Sequence, residues 1–264
     1  MDALTATAAA GIRSRVEALD LLANNLANAN STGYKADREL YQRYAAAEAY
    51  DASTGAFDPT QQPDIDSRWT DFSQGSLATT GEALDVALEG KGFFVTQTNG
   101  KAAGSPPELL YTRDGHFRLV PIEDPQPLRR SRLETQDGLP VLGNEGKPIL
   151  LDPRRPVEFG RDGSVRQDGR VVNRLLVVDP AQPQQAQLLV KRSGNYFAFD
   201  APNPLPRAMA AEVHQGKLET ANVTPAESAV RLINVMRQFE SLQKALQIGS
   251  EMNRRSVEEV ARFS

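Results

Sequence analysis

Side chains that commonly carry catalysis are sparse in this 264-residue chain, and their spacing defines no recognisable catalytic set. The two histidines, His116 and His214, lie far apart and share no metal-ligand spacing with carboxylates. Cysteine is absent, which excludes disulfides, thiolate metal sites and a cysteine nucleophile. No nucleophile elbow, zinc-protease motif or P-loop occurs. We therefore predict that the protein is not an enzyme and has no catalytic residue, metal site, cofactor or small-molecule substrate.

Glycine-rich and Asp-Gly sequences are the remaining candidates for binding chemistry. Gly90-Lys91-Gly92 is flanked by strand-like segments and opens no helix, so it predicts a turn and not a phosphate site. Asp-Gly pairs begin at Asp114, Asp137, Asp162 and Asp168. None of them lies in a calcium-loop pattern. Because Asp-Gly is a typical hairpin turn, we predict hairpins at all four pairs.

The composition is that of a globular chain without an overall basic field. Hydrophobic residues make up 40% and charged residues 24% of the sequence, and 30 basic against 34 acidic side chains give a net charge of −4. The arginines within residues 129–132 are a local feature, for which a solvated loop is a sufficient explanation. We predict no nucleic-acid partner.

Targeting signals are not visible in the sequence. No run of about 18 apolar residues occurs, so no transmembrane helix is predicted. The N-terminal sequence Met1-Asp2-Ala3-Leu4 lacks a basic segment followed by an apolar one, which a cleavable secretory signal requires. If the protein leaves the cytoplasm, it must use a route that does not read such a signal.

Both ends of the chain have the periodicity of long amphipathic helices. From residue 225 to 264, apolar residues recur on a seven-residue repeat, and Thr224 and Glu227 suit the start of a helix. A similar repeat covers residues 4–28 and stops in the turn-forming residues 28–33. A helix of roughly 38 residues is over about 50 Å long and needs a partner helix. The periodicity leaves open whether the two helices close one domain or pack between copies.

Local signals between the two ends are mainly those of β structure. Residues 34–50 have a helical spacing, and residues 51–66 have the Pro, Gly and Ser content of a linker or extended loop. From residue 73 onward, short strand-like segments alternate with turn signals such as Asn99-Gly100. The Arg- and Pro-rich insert of residues 121–134 predicts a surface loop. The expected fold class is α+β, with a central, mainly antiparallel β domain between long terminal helices.

Four segments, in order, carry a resemblance to a known family. Residues 21–35, ending in Asn30-Ser31-Thr32-Gly33-Tyr34-Lys35, resemble the N-terminal signature of the bacterial flagellar axial proteins of the rod and hook. Residues 75–95, 111–117 and 215–223 are similar to the later blocks of the same family. The resemblance covers both ends and the middle, and therefore essentially the whole chain.

The resemblance implies a structural subunit of the flagellar basal-body rod. The terminal helices would form a coiled-coil inner domain of a hollow, periplasm-spanning shaft, and export would use the flagellar type III apparatus without a cleaved signal. Expected partners are further copies of the chain and other rod and hook axial proteins. The expected domains are the N-terminal coiled-coil helix, a linker and extended loop, the β domain and the C-terminal coiled-coil helix, at residues 1–35, 36–72, 73–215 and 216–264.

The subtype within the family is a finer expectation. The sequence Arg237-Gln238-Phe239-Glu240 with Gln243-Lys244 is more similar to the proximal than to the distal rod subunit. Residues 51–66 could instead correspond to an extended segment of the distal rod. The insert at residues 121–134 departs from the family pattern, so its role is not assigned.

A weak apolar stripe at each end suggests how such a subunit would polymerise. Neighbouring copies would supply apolar surface that one chain lacks, and the terminal helices would be loosely ordered in the free monomer. Small and amide side chains near the end of the first helix would allow close backbone approach and hydrogen bonds between subunits. The predicted assembly residues are Leu19, Leu22, Asn24, Asn25, Leu26, Leu232, Val235, Phe239, Leu242 and Leu246.

A different class of protein remains as an alternative. A secreted β-rich module tethered by its helices would bind a glycan through exposed aromatic rings. Trp69, Tyr111, Tyr196 and Phe197 are the candidate rings, although they are scattered along the sequence. Removal of both termini would distinguish the two proposals, because a binding module would keep its ligand and a rod subunit would lose assembly.

Overall fold

The computed structural model describes residues 3–43, 63–98, 107–122, 130–180, 183–200, 205–208 and 210–262. The chain divides into two compact units. The first contains residues 1–29, 36–71 and 223–264, and the second contains residues 30–35 and 72–222. Residues 36–71 therefore belong with the terminal helices, and the short segment 30–35 belongs with the β structure. The fold class is α+β, as predicted.

Two long helices form most of the first unit. Helix α1 spans Ala3–Ala27 and helix α3 spans Pro225–Arg262, close to the predicted bounds. At the start of α3, the Thr224 hydroxyl accepts a hydrogen bond from the Glu227 amide at 3.3 Å, as expected of an N-cap. No helix in the described part of the chain combines the length and hydrophobicity that a membrane crossing requires.

A β-hairpin completes the first unit and corrects one prediction. Strand β1 spans Asp37–Arg43 and pairs with β2, Pro63–Thr70, in an antiparallel ladder. The helix predicted over residues 34–50 is therefore wrong for its described part, because a partner strand distant in sequence supplies the hydrogen bonds. Within the predicted loop of residues 51–66, the last four lie in β2. Residues 44–62 lie outside the described part.

The second unit is built from short strands and one short helix, α2, at Pro183–Gln187. Every strand pair is antiparallel, which confirms that prediction. The strands are β3 Leu77–Thr79, β4 Val86–Glu89, β5 Phe93–Gln97, β6 Leu109–Thr112, β7 Phe117–Pro121, β8 Ser131–Thr135, β9 Leu150–Leu151, β10 Glu158–Phe159, β11 Ser164–Gln167, β12 Arg170–Arg174, β13 Val177–Val178, β14 Leu189–Ser193, β15 Tyr196–Phe199, β16 Glu212–Gln215 and β17 Lys217–Glu219.

The largest sheet of the second unit has five strands in the order β13-β5-β6-β15-β14. Two sheets have three strands each, β7-β8-β9 and β10-β11-β12, and the pairs β16-β4 and β17-β3 complete the unit. Strand β8 contains Leu133, which is fully buried. The prediction of a surface loop over residues 121–134 is therefore wrong for residues 131–134, which form an inner strand. Residues 123–129 lie outside the described part.

Three of the four Asp-Gly pairs form turns, as predicted. Asp168 and Gly169 both have positive φ, 51° and 74°, in the two-residue turn between β11 and β12. The pair at Asp162 joins β10 to β11, and the pair at Asp137 follows β8, where the Gly138 amide donates to the Thr135 carbonyl. The pair at Asp114 makes no hairpin, because β6 and β7 pair with other strands. Asn99-Gly100 lies outside the described residues.

The hydrophobic core of the second unit lies on both faces of β5. Consecutive residues Phe93 and Phe94 point to opposite faces, and both rings are buried. Phe93 packs edge-on against Phe72 and Phe197 at centroid distances of 5.5 and 5.8 Å, and Phe94 packs against Phe117 at 5.2 Å. Because both faces of β5 are covered, this strand separates two hydrophobic core clusters.

Candidate assembly helices and a buried ion cluster

The predicted apolar stripe of α3 coincides with the residues that the structure partly buries. Between positions 230 and 250 of α3, only Leu232, Val235, Phe239, Leu242, Leu246 and Gly249 are half-buried, and the remaining residues are exposed. Their spacing of three and four residues is the predicted repeat, so the periodicity is confirmed. Whether these residues contact other copies stays a prediction.

Helix α1 covers this stripe within the same chain. A Cβ placed on Gly11 would lie 3.6 Å from the Leu242 side chain, so the backbone of α1 is close to α3 at this point. Tyr34, which follows α1, accepts a hydrogen bond from the amide of Asn222, which precedes α3. The helices are therefore antiparallel. Their lengths are 25 and 38 residues, so α3 is longer by about 20 Å.

The buried line of α1 differs from the predicted one. The repeat predicted for α1 contains positions 15, 19, 22 and 26. The structure buries the residue before each of them, which corresponds to a rotation of about 100° around the helix axis. These buried residues are Ser14, Ala18, Leu21 and Asn25. Among the predicted residues, Leu22 is buried, Leu19 and Leu26 are half-buried and Asn24 is exposed. The reason is that α1 packs against β1 and β2 as well as α3. Its buried arc is therefore wider than a two-helix stripe.

Asn25 has an intrachain role that differs from the predicted one. Its amide nitrogen donates to the Asp37 carbonyl at 2.8 Å, and its amide oxygen accepts from the Asp37 amide at 3.1 Å. The side chain thus replaces a strand partner for the first residue of β1. These hydrogen bonds lie within one chain, and hydrogen bonding between subunits at Asn25 stays a prediction.

A second apolar surface on α3 was not singled out from the sequence. Val230, Ile248 and Met252 are exposed by 59%, 61% and 64%, although they are large and hydrophobic. At about 100° per residue, Val230 and Ile248 lie about 150° and Met252 about 110° around α3 from the half-buried stripe. The exposed Ile233 lies on the same far side, and Met236 lies between Ile233 and the half-buried stripe. We call Val230, Ile248 and Met252 the outer stripe.

In the second unit, three charged side chains meet in the interior. Lys35 Nζ lies 2.5 Å from Glu219 Oε1, and Arg113 Nη1 lies 3.2 Å from Glu219 Oε2. The exposed fractions of the Lys35, Arg113 and Glu219 side chains are 0%, 3% and 0%. Burial lowers the pKa of Arg113, and its proximity to Glu219 partly opposes this effect. We call these three residues the ion cluster.

Backbone groups supply further hydrogen bonds to the ion cluster, although Arg113 Nε has no partner among the described residues. Lys35 Nζ also donates to the Ser73 carbonyl at 2.7 Å, and Arg113 Nη2 donates to the Gly90 carbonyl at 2.7 Å. Glu219 Oε1 accepts a further hydrogen bond from the Gly75 amide at 2.9 Å. The four sequence blocks that carry the family resemblance therefore meet at this point. The pattern of neighbouring residues gave no signal for this cluster, since Arg113 is followed directly by Asp114 in the sequence.

The short segment 30–35 is held inside the second unit on several sides. The Asn195 amide donates to the Thr32 carbonyl at 2.5 Å, and the Gly33 amide donates to the Glu219 carbonyl at 2.7 Å. Lys191 Nζ lies 4.3 Å from the centroid of the buried Tyr34 ring and donates to the Lys35 carbonyl. Such a set of contacts fixes the path of the backbone after α1.

Polar groups next to this segment have shifted pKa values. The Thr32 hydroxyl donates to Asp114 at 2.8 Å, but burial outweighs this bond and raises the pKa of the Asp114 carboxyl. Burial also raises the pKa of Tyr196, whose hydroxyl is hydrogen-bonded to Thr135 and Asp137. These groups are linked in a structural network.

The structure shows the neighbours of the two histidines and the burial of the aromatic rings that were considered from the sequence. His116 lies 3.8 Å from Asp85, and His214 on β16 lies 2.7 Å from Glu89. Within the described residues, no group of three metal-binding side chains is close enough to hold an ion. Tyr111, Tyr196 and Phe197 are buried, whereas Trp69 is exposed. Three of the four candidate rings therefore do not contribute to an exposed binding platform.

Comparison with known proteins places the chain in a family. The family described as "Flagella basal body rod protein" matches residues 3–35 of this chain. The family described as "Flagellar basal body rod FlgEFG protein C-terminal" matches residues 214–258. The flagellar basal-body rod protein FlgF of Caulobacter vibrioides is 34% identical over 250 residues, which cover 93% of each chain. The chain belongs to the flagellar basal-body rod protein family.

Other rod proteins show the same relationship at lower identity. FlgF of Mesorhizobium japonicum is 31% identical and covers 84% of this chain and 83% of its own length. FlgG of Buchnera aphidicola subsp. Schizaphis graminum is 27% identical and covers 89% of this chain and 90% of its own length. As a rod-family member, the protein is a structural component of the flagellum and not an enzyme.

The two matched segments coincide with the features described above. Residues 3–35 contain α1 and end at Lys35, and residues 214–258 contain Glu219 and most of α3. Two members of the ion cluster, helix α1 and most of helix α3 thus lie in the segments that match the rod-protein families. The third member, Arg113, lies in the β region between them.

Proposed function

We propose that this rod-family protein polymerises into the proximal part of the rod, as one subunit type of the hollow, periplasm-spanning shaft. The helix pair α1–α3 is the polymerising element, and it packs against pairs from neighbouring copies in a coiled coil. A head-to-tail contact that does not close a ring generates such a helical tube. Partners are other copies and the adjoining rod and hook axial proteins.

The observation that carries this proposal is the presence of two apolar surfaces on α3. One is the half-buried stripe against α1, and the other is the exposed outer stripe of Val230, Ile248 and Met252. Exposed large apolar residues on one side of a long helix offer surface that another chain can cover. The predicted assembly residues Leu232, Val235, Phe239, Leu242 and Leu246 then hold the helix pair together, and the outer stripe contacts the next copy.

The similarity to FlgF supports the proximal position over the distal one. FlgF-named relatives are 34% and 31% identical to this chain, and FlgG-named relatives are 27% and 26% identical. The sequence Arg237-Gln238-Phe239-Glu240 on α3 favours the same assignment. Export through the flagellar type III apparatus, without a cleaved signal, is the corresponding route to the rod.

The test replaces the outer stripe with serine in the full-length chain. Val230→Ser, Ile248→Ser and Met252→Ser together remove exposed apolar surface, so the monomer keeps its helix content. We expect at least a tenfold loss of protein incorporated into basal bodies, measured by immunoblot of isolated basal bodies from a strain that lacks its own copy.

A matched control replaces three exposed polar residues of the same helix, with Asn234→Ser, Gln247→Ser and Glu251→Ser. This control variant should be incorporated like the wild type. Normal incorporation of the outer-stripe variant would refute the assignment of the outer stripe. Failure of the wild-type protein to enter basal bodies would refute the rod function itself. Ligand binding that survives removal of both termini would favour the tethered binding module instead.

A further inference from the structure

The ion cluster lies where the polypeptide enters and leaves the second unit. This unit contains residues 30–35 and 72–222, so Lys35, Phe72 and Asn222 are three of its boundary residues. Lys35 Nζ donates to the carbonyl of Ser73 at 2.7 Å. The Asn222 amide donates to the Tyr34 carbonyl at 3.3 Å. Three exit points that are distant in sequence are therefore joined to one another.

Glu219 is the common acceptor at this point. Its carboxylate binds Lys35, Arg113 and the Gly75 amide, and its backbone carbonyl accepts from the Gly33 amide at 2.7 Å. A second link parallels it, since the Asn222 side-chain amide donates to the Ser73 hydroxyl at 3.2 Å. Each exit segment is thus held by directional hydrogen bonds and not by apolar packing alone.

Stability is a poor explanation for this arrangement. Removing a charged group from water costs several kcal/mol per ion, and apolar replacement of a buried ion group is often neutral or stabilising. The ion cluster contains two cations and one carboxylate, all buried, so its desolvation is especially costly. What charged hydrogen bonds provide beyond apolar contacts is direction, because each donor must point at its acceptor.

We infer that Glu219, together with Lys35 and Arg113, is a positioning device for assembly. It sets the spacing and direction of the chain where residues 35, 73 and 222 leave the second unit. Every copy in a helical polymer must make equivalent contacts, so every copy needs the same exit geometry. This inference rests on the proposed rod function and assigns assembly roles to three residues that are buried inside one copy.

The test separates geometry from stability. The triple variant Lys35→Met, Arg113→Met and Glu219→Leu replaces all three charges with apolar side chains of similar length. The Gly75 amide and the Gly90 carbonyl lose their partners in this variant, so we expect a lower thermal unfolding midpoint. Incorporation into basal bodies is therefore measured at a temperature at which the purified variant is fully folded, and we expect it to fall at least tenfold. A purely stabilising ion cluster would leave incorporation unchanged at that temperature.

The matched control is an exposed ion pair in the same unit. Arg192 Nη2 lies 3.4 Å from Glu108, and both side chains are about half exposed. Arg192→Met with Glu108→Leu makes the same kind of change at the surface and should be incorporated like the wild type. If this control also lost incorporation, the effect would reflect charge removal in general, and the inference would be overturned.

A second variant decides the question if the triple variant fails to fold. Lys35→Met removes the links from Lys35 to Glu219 and Ser73, and it leaves the charge-balanced pair of Arg113 and Glu219. The Ser73 carbonyl keeps a donor in the Asn222 side chain, so we expect this variant to fold and its incorporation to fall about threefold. Wild-type incorporation of a folded triple variant, or of Lys35→Met where the triple variant does not fold, would overturn the inference. The wild-type protein must enter basal bodies in the same experiment, so failure of the rod function is recognised separately.

Discussion

Gly33 has a φ of +66°, and a Cβ at this position would lie 2.4 Å from the Asp114 amide nitrogen. Both features exclude other residues, since a positive φ strains an L-residue and the backbone at Asp114 cannot move like a flexible side chain. We expect Gly33→Ala to lower the free energy of unfolding of the second unit by more than about 3 kcal/mol. Urea denaturation followed by circular dichroism measures this change.

Gly146 supplies the matched control for that substitution. Its φ is +72°, nearly the same as that of Gly33, but a Cβ there meets nothing within 4 Å. Gly146→Ala should therefore cost only the backbone strain, about 1 kcal/mol. Equal losses in the two variants would show that the close approach of Gly33 to Asp114 has no energetic role.

Asp114 provides a prediction on pH dependence. Burial raises the pKa of its carboxyl above the ordinary value of 3.8, against the opposing hydrogen bonds from Thr32 and the His116 amide. Because the folded protein binds the proton more tightly than the unfolded chain, the contribution of this group is greatest below pH 3.8 and is lost as pH rises through its folded-state pKa.

Asp114→Asn keeps an oxygen acceptor and removes the charge. At neutral pH the free energy of unfolding of the variant should be higher than that of the wild type. This difference should vanish in acid, where the Asp114 carboxyl of the wild type is protonated. Urea denaturation across a pH series tests both the difference at neutral pH and its loss in acid. A variant that is less stable than the wild type at neutral pH would mean that the carboxylate charge is favourable in the folded state.

The helix pair shows how far an element can be read from periodicity. The half-buried residues of α3 follow the predicted repeat because α1 is the main partner of α3 among the described elements. The buried line of α1 is shifted by one residue because α1 also packs against β1 and β2. A narrow apolar stripe in the sequence therefore identifies the buried residues of a helix that packs against one neighbour. A helix that packs against two neighbours also buries residues outside such a stripe.

Gly11 in α1 gives a prediction for the helix pair. A Cβ there would lie 3.6 Å from Leu242, which is an ordinary van der Waals contact. Gly11→Ala should therefore stabilise α1 by up to about 1 kcal/mol, because alanine has the higher helix propensity. Slower amide hydrogen exchange across α1 would be the evidence. Gly11→Leu should instead overpack against Leu242 and cost about 1–3 kcal/mol. Faster exchange in the alanine variant would mean that the space between Gly11 and Leu242 does not admit a methyl group.

For the molecule as a whole, polymerisation should be visible in the backbone amides of the helices. If neighbouring copies cover the outer stripe, amide exchange in α1 and α3 should slow at least tenfold on going from the purified monomer to basal bodies. The β strands of the second unit serve as the internal control and should change little. Equal protection of the helices in both forms would mean that α1 and α3 already satisfy each other in one chain.

The features that the sequence determines are local ones. The repeat of α3, the cap at Thr224 and the turn at Asp168-Gly169 depend on residues within a few positions of each other, and all were predicted. The family resemblance also came from short ordered blocks of sequence. In each case the physical cause, helical spacing or backbone preference, acts over a distance that a linear pattern records.

The features that only the tertiary structure decided depend on partners far apart in the chain. Strand β1 exists because β2 pairs with it, and Asn25 is buried because Asp37 binds both atoms of its amide. The ion cluster joins Lys35, Arg113 and Glu219 from three separate blocks. No local preference encodes such pairings, since each charge or amide is stable in water until the fold supplies the group that replaces the solvent.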